Sequence, residues 1–187
     1  MRFTPFKLCR DAVIVDLEPI GDARGFFARS VDAEAFRAHG LPETFVQSSV
    51  SFSERRGTLR GLHFQRPPSR EGKLIRCTSG AAYDVALDLR PGSPTLGRWE
   101  AVEITADNRR AVYLPPGFAH GFQTLADGTE LLYQMSDVFA PELAAGVRWN
   151  DPAFAIDWPI PSPILSEKDA AYPDFRPETQ PRWPAYS

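Results

Sequence analysis

Cysteine is nearly missing from this chain: Cys9 and Cys77 are the two thiols in 187 residues. Two isolated cysteines are too few for a disulfide framework and have no metal-binding spacing. No apolar run approaches the length of a membrane span, and no charged-then-apolar stretch opens the chain, so a cytoplasmic location without a membrane partner is expected. An excess of charge of one sign is also missing. A net charge of −3 without charge blocks offers nothing global to attract nucleic acid. Any phosphate must therefore be met by a few local Arg and Lys residues. Repeats and low-complexity tracts are absent, and the 18 prolines and 13 glycines are scattered as turn punctuation rather than gathered into a linker. The apolar and charged fractions, 43% and 24%, are those of an ordinary soluble protein. One domain over 1–187 is expected, with a loose tail from about 176 to 187.

Helix signals are few. Asp32 to His39 reads as a short helix capped by Asp32 and stopped by Gly40, and Ser166 to Asp169 reads as the start of another turn. What the chain has instead is a succession of strand-like segments bounded by turn residues. They run from Ala12 to Glu18, Phe45 to Phe52, Thr58 to Gln65, Lys73 to Thr78, Tyr83 to Leu89, Trp99 to Thr105, Ala111 to Leu114, Gly117 to Gln123 and Glu130 to Met135. Pro19 to Asp22 reads as a turn. In Tyr83–Leu89 the Tyr, Val and Leu positions share one face, and Asp84, Ala86 and Asp88 share the other. Many short strands with Gly/Pro turns predict an all-β sandwich or jelly roll, with the proline-rich segment from Pro159 wrapping its outside.

Histidine is scarce as well, at three residues. His39 ends the expected helix and reads as a surface residue. His63 and His120 lie in glycine-rich strands, where a histidine is ordinarily a hydrogen-bonded core residue. Their spacing points further. Gly57 followed by five residues and His63 resembles the opening of the first cupin motif, and Pro115-x-Gly117-x-x-His120 resembles the second. Metal-binding cupins add another histidine and a glutamate. Here Gln65 stands at the histidine position, and Lys73 arrives where an anion is needed. Glu71 and Asp84 are the carboxylates left over, a poor set for an ion. His63, His120, Arg60 and Lys73 suit an anionic substrate with a reacting carbonyl, because Lys and Arg hold phosphates and steady a developing oxyanion. Taken singly, Arg60 and Lys73 read as solvated strand edges. Tyr133 could act as an acid opposite a histidine base, or be a half-buried core aromatic.

The segments quoted, with Asp22-x-Arg24-Gly25-Phe26-Phe27, Gly72-Lys73-Leu74, Arg148-Trp149-Asn150-Asp151-Pro152 and Ser166-Glu167-Lys168-Asp169, resemble the dTDP-4-dehydrorhamnose 3,5-epimerase family from about Asp22 to Asp169. The resemblance implies a cupin-type jelly roll that works without metal or other cofactor. It implies epimerisation of a nucleotide-linked 4-keto-6-deoxy-hexose at C3 and C5. His63 matches the general base, Asp169 the carboxylate that orients it, and Tyr133 the acid on the opposite sugar face. Lys73 matches the group beside the ketone. Arg60 and His120 match contacts to the sugar and diphosphate, Asp84 the partner of His120, and Gln47 and Lys168 other substrate contacts. Arg24 matches a diphosphate contact reached from the neighbouring subunit of a homodimer, to which the N-terminal strand is expected to cross.

Four positions depart from the family pattern. Arg29 stands where a glutamate near the nucleotide is usual, and Ser49 where an asparagine near the substrate is usual. Phe139 replaces an aromatic hydroxyl that stacks on the base. Ala144 and Ala145 stand where an acid usually precedes Gly146. None is a proposed proton-transfer residue, so these changes bear on which nucleotide and sugar bind and on whether one or both carbons invert. The competing readings are a C3- or C5-only epimerase, an epimerase for another nucleotide keto-sugar, a metal-dependent cupin oxygenase, and a non-catalytic cupin that only binds a sugar nucleotide.

Overall fold

Among residues 1–177, the part described by the computed structural model, turn residues divide the chain into thirteen strands and two short helices. The order is β1 Arg2–Pro5, β2 Val13–Asp16, β3 Ile20–Asp22, β4 Gly25–Phe27, α1 Ala33–Ala38, β5 Gln47–Ser53 and β6 Leu59–Gln65. There follow β7 Lys73–Ser79, β8 Ala81–Asp88, β9 Trp99–Thr105, β10 Ala111–Leu114, β11 Phe118–Thr124, β12 Thr129–Met135, β13 Ala144–Gly146 and α2 Glu167–Ala170. A six-stranded antiparallel sheet, β1-β2-β10-β7-β12-β5, faces a five-stranded one, β13-β6-β11-β8-β9. From β5 to β8 successive strands alternate between the sheets, as in a jelly roll.

Three apolar layers hold this together. Ile75, Cys77 and Leu131 of one sheet meet Ala82, Ala86, Phe118 and Phe122 of the other between the sheets. Outside the five-stranded sheet, Val85, Leu87 and Leu89 are covered by Phe154, Ile156 and Trp158. Outside the six-stranded sheet, Val13, Val15, Ala111 and Tyr113 are covered by Phe36 of α1 and by Leu41. Each large side chain fully buried in this way contributes about 1.5–3 kcal/mol. One result is an inversion on β8. Its apolar-looking face packs under the C-terminal segment, so the face carrying Asp84 and Asp88 turns inward, and both acids are fully buried.

All nine expected strands are present, with ends within two residues of the expected ones. Both helices form where expected. Asp32 accepts from the Ala35 N–H at 3.0 Å, the helix C-cap is His39 with Gly40 at φ +71°, and Ser166 caps α2. Other expectations need correction. Ile20–Asp22 is not a turn but strand β3, paired with β4. The reversal falls at Ala23–Arg24, where the Asp22 carboxylate accepts the Arg24 N–H at 2.8 Å. β1 pairs along its length with β2 of its own chain, and Arg2 reaches Asp16 at 3.1 Å. The segment that stands out is the β3–β4 hairpin, with Ile20, Phe26 and Phe27 exposed. The outer wrap begins at Phe154, before Pro159. Of the expected loose tail, Arg176 and Pro177 are described and the rest lies outside the described residues. Among the described residues no helix is long and apolar enough to cross a membrane.

Candidate active site

The five-stranded sheet builds half of the site through a local irregularity. Between the His120 and Phe122 positions of β11, the register with β6 shifts. Gly61 sits at this bulge with φ +131°, and a Cβ there would fall 2.5 Å from the Gly121 Cα. Two facing glycines allow that approach. The extra residue changes the alternation: Leu59, Leu62 and Phe64 all pack in the outer layer, while Arg60 and His63, three apart, share the other side.

His63 and His120 are direct cross-strand neighbours, each bonded to a carboxylate. His63 Nε2 lies 2.7 Å from Asp169 Oδ1, with the imidazole 42% exposed and the carboxylate 6%. His120 Nε2 lies 2.7 Å from Asp84 Oδ2, with both groups buried; Asp84 Oδ1 is buried without a hydrogen-bond partner. Asp169 comes from 106 residues along the chain. It is brought in because the segment before α2 runs beside the start of β6: Leu59 N–H donates to Ile164 O, and Ile164 N–H donates to Gly57 O, both at 2.9 Å. Ser166 Oγ then accepts the Asp169 N–H at 3.1 Å, and Gly61 N–H donates to Asp169 Oδ2 at 3.3 Å. Burial pushes the Asp169 carboxyl up, but the hydrogen bond and charge of His63, with help from Gly61 and Ser166, outweigh it and hold the pKa below the usual value.

The six-stranded sheet supplies the rest. In its register Tyr133 lies between Ser49 and Ile75, and Met135 lies between Gln47 and Lys73. The Tyr133 ring stands edge-on to His120 with centroids 5.6 Å apart. Burial, reinforced by the negative charge of Asp84 and only partly offset by Arg60, raises its phenol well above the ordinary value. Lys73 is ion-paired with Glu71, and both side chains are largely buried. Arg60 reaches β5, donating to Phe52 O at 2.8 Å and to Ser53 Oγ at 3.3 Å. Gln47 Oε1 accepts the Phe139 N–H at 2.7 Å. Two open pockets result. One, about 390 Å³, is lined by Arg60, His63, Lys168 and Asp169; the other, about 440 Å³, is lined by Gln47, Ser49, Glu71 and Phe139.

Not every expected residue joins them. Arg24, 89% exposed at the hairpin tip, closes on its neighbour Asp22. Arg29 pairs with Asp32 and lines a separate pocket with Ile20 and Phe27. His39 is exposed as expected, stacked on Phe3. Glu71 holds Lys73, and among the described residues no three His, Cys, Asp or Glu side chains converge to hold a metal ion. One neighbour of the base was not expected. Tyr172 meets the His63 ring at 5.8 Å, and its only sequence signal is an aromatic three residues past Asp169.

Comparison with known proteins bears on this arrangement directly. The family model described as dTDP-4-dehydrorhamnose 3,5-epimerase matches residues 8–177. A Pseudomonas aeruginosa protein of that name is 47% identical over 161 residues, 85% of this chain and 88% of its own length. The crystal structure of the Bacillus anthracis dTDP-4-dehydrorhamnose 3,5-epimerase, with TDP and PPi bound, is 41% identical with a TM-score of 0.89, covering 93% of this chain and 99% of its own. That of the Legionella pneumophila dTDP-6-deoxy-D-glucose-3,5-epimerase, in complex with dTDP-4-keto-L-rhamnose, is 36% identical with a TM-score of 0.89, covering 98% and 99%. The agreement spans the strands that carry both histidines and the tyrosine and the helix that carries the distant aspartate, and this chain belongs to the dTDP-4-dehydrorhamnose 3,5-epimerase family.

Proposed function

We propose that this chain is an isomerase that converts dTDP-4-dehydro-6-deoxyglucose to dTDP-4-dehydrorhamnose by inverting C3 and C5. The observation that carries the reading is the pairing of an open imidazole with a phenol from the opposite sheet, both beside His120. Hydrogens beside a ketone are acidified but remain too weakly acidic for water to remove, so a positioned base is needed. His63 is that base: the Asp169 carboxylate occupies one ring nitrogen and leaves the other free. The C–H bond breaks, its proton passes to His63, and its electrons become an enolate with charge on the C4 oxygen. Lys73, held by Glu71, supplies the positive charge that steadies this oxygen. Tyr133 keeps its proton at neutral pH and donates it to the opposite face, forming the inverted C–H bond. Solvent then returns a proton to the phenolate and takes one from the imidazolium, so the cycle balances without an oxidant or cofactor.

Arg60, His120, Gln47, Ser49, Phe139 and Lys168 are the proposed substrate contacts, with Asp84 acting through His120. Arg24 completes the diphosphate site from the other subunit of a homodimer. The exposed apolar side chains of its hairpin support that reading. Nucleotide sugars are cytoplasmic metabolites, so the cytoplasm is the proposed compartment.

Incubation with the 4-keto sugar in deuterated water tests the function. Deuterium is expected at both C3 and C5. Label at one carbon would make the protein a mono-epimerase, and no label would overturn the enzymatic reading.

A further inference from the structure

Tyr172 has no part in the proton transfers proposed above, yet its ring adjoins the base. Its centroid lies 5.8 Å from that of the His63 imidazole, with the planes at 63°. It reaches this place through Gly146, the residue directly opposite His63 in the β13–β6 pairing. A Cβ on Gly146 would fall 2.4 Å from Tyr172 Cζ and 2.6 Å from Cε2, so the tyrosine ring occupies the space where the cross-strand neighbour of His63 would have a side chain.

One hydrogen bond does not define an imidazole plane. Asp169 fixes one ring nitrogen of His63 at 2.7 Å, but rotation about the Cβ–Cγ bond of histidine is soft, and the ring is 42% exposed. A proton abstraction at a defined carbon needs the lone pair aimed, and small errors of aim are costly. A wall on the Gly146 side supplies the missing restraint. The same short segment, α2 and the residues after it, brings both restraints: Asp169 first and Tyr172 three residues later.

We infer that Tyr172 is a positioning residue that sets the plane of the His63 imidazole, a role that rests on the epimerase reading above. The ring is the active feature and the hydroxyl is dispensable. The test compares Tyr172→Phe, Tyr172→Leu and Tyr172→Ala by steady-state epimerisation of the 4-keto sugar, and by NMR of the imidazole protons in a protein with three histidines. The phenylalanine variant should stay within twofold of the parent. The leucine and alanine variants should lose about tenfold in kcat with KM changed less than twofold, as expected when aim rather than binding is lost. Their His63 ring signals should move, and those of the phenylalanine variant should not.

Leucine fills the space over Gly146 without a ring, so a leucine variant with normal kcat would overturn the inference in favour of simple packing. A phenylalanine variant as slow as alanine, or a loss confined to KM, would overturn it too. An inactive parent would instead bring down the epimerase reading, and this role with it, while the NMR signals would still report the ring contact.

Discussion

His63–Asp169 and His120–Asp84 share one geometry, an imidazole Nε2 at 2.7 Å from a carboxylate, on strands that lie side by side. They differ in access and in origin. The first imidazole is 42% exposed and its aspartate arrives from the far end of the chain; the second is 4% exposed and its aspartate comes from the next strand of the same sheet. A base that must meet a substrate needs an open face, and a carboxylate brought by a covering segment can orient a ring without closing the sheet around it. The buried pair leaves only 4% of its imidazole open, room for a contact but not for a base. It lies against Tyr133 and sets the electrostatics of the acid, since the Asp84 charge adds to burial in keeping the phenol protonated. On the proposed reading, one chemical unit serves as the base where it is open and as a substrate contact and electrostatic support where it is buried.

Exchanging the roles of the two pairs by mutation should produce opposite losses. His63→Ala is expected to slow deuterium exchange at both carbons by about 10³-fold, within the range for a general base, while dTDP binding changes little and the loss in urea stability stays below that of His120→Ala, because Asp169 keeps its Gly61 and Ser166 hydrogen bonds. His120→Ala leaves a fully buried carboxylate unpaired and is expected to cost about 3 kcal/mol in urea unfolding. Equal destabilisation by the two would erase the distinction between open and sealed.

A subtler effect is expected at the acid. Asp84→Asn removes the charge that helps raise Tyr133, so the phenol should ionise at lower pH and the alkaline limb of the kcat profile should move toward neutrality. An unmoved limb would separate Tyr133 from the Asp84–His120 pair.

The smallest effect concerns acid stability. Asp169 has a folded pKa below its ordinary 3.8, so its stabilising contribution is complete above that value and is lost as pH falls through the folded one. The stability difference between the parent and Asp169→Asn should therefore shrink on going below about pH 4, followed by urea unfolding. A difference that grew on acidification would reverse the assigned shift.

Period-two alternation and turn residues made most of the sheet legible, because a strand buried on one face alternates. The hairpin was not legible: Ile20, Phe26 and Phe27 are all exposed, and alternation carries no signal where apolar side chains are not buried. The direction of β8 was hidden for a related reason. Both of its faces are buried, and the acids took the inner one. Within the site, His63, His120, Tyr133, Lys73, Asp84 and Asp169 came from the family motifs, and the fold gathers them. Spacing alone could not have joined Asp169 to His63, since the contact depends on the parallel bridge of Thr58 to Ile164. Glu71 was read as a spare acid because it lies in the irregular segment before β7, two residues ahead of its partner Lys73, where no periodicity identifies the contact. Tyr172 was silent because an aromatic in an irregular segment looks like any other packing residue.

The division of labour between the two sheets is tested most directly by Tyr133→Phe incubated with the 4-keto sugar in deuterated water. If His63 removes protons from one face and the phenol returns them to the other, the variant should still wash hydrogen out of C3 and C5 from the His63 side while forming almost no inverted sugar. Normal inversion by this variant would contradict the account, because the opposing acid would then have to be some other group.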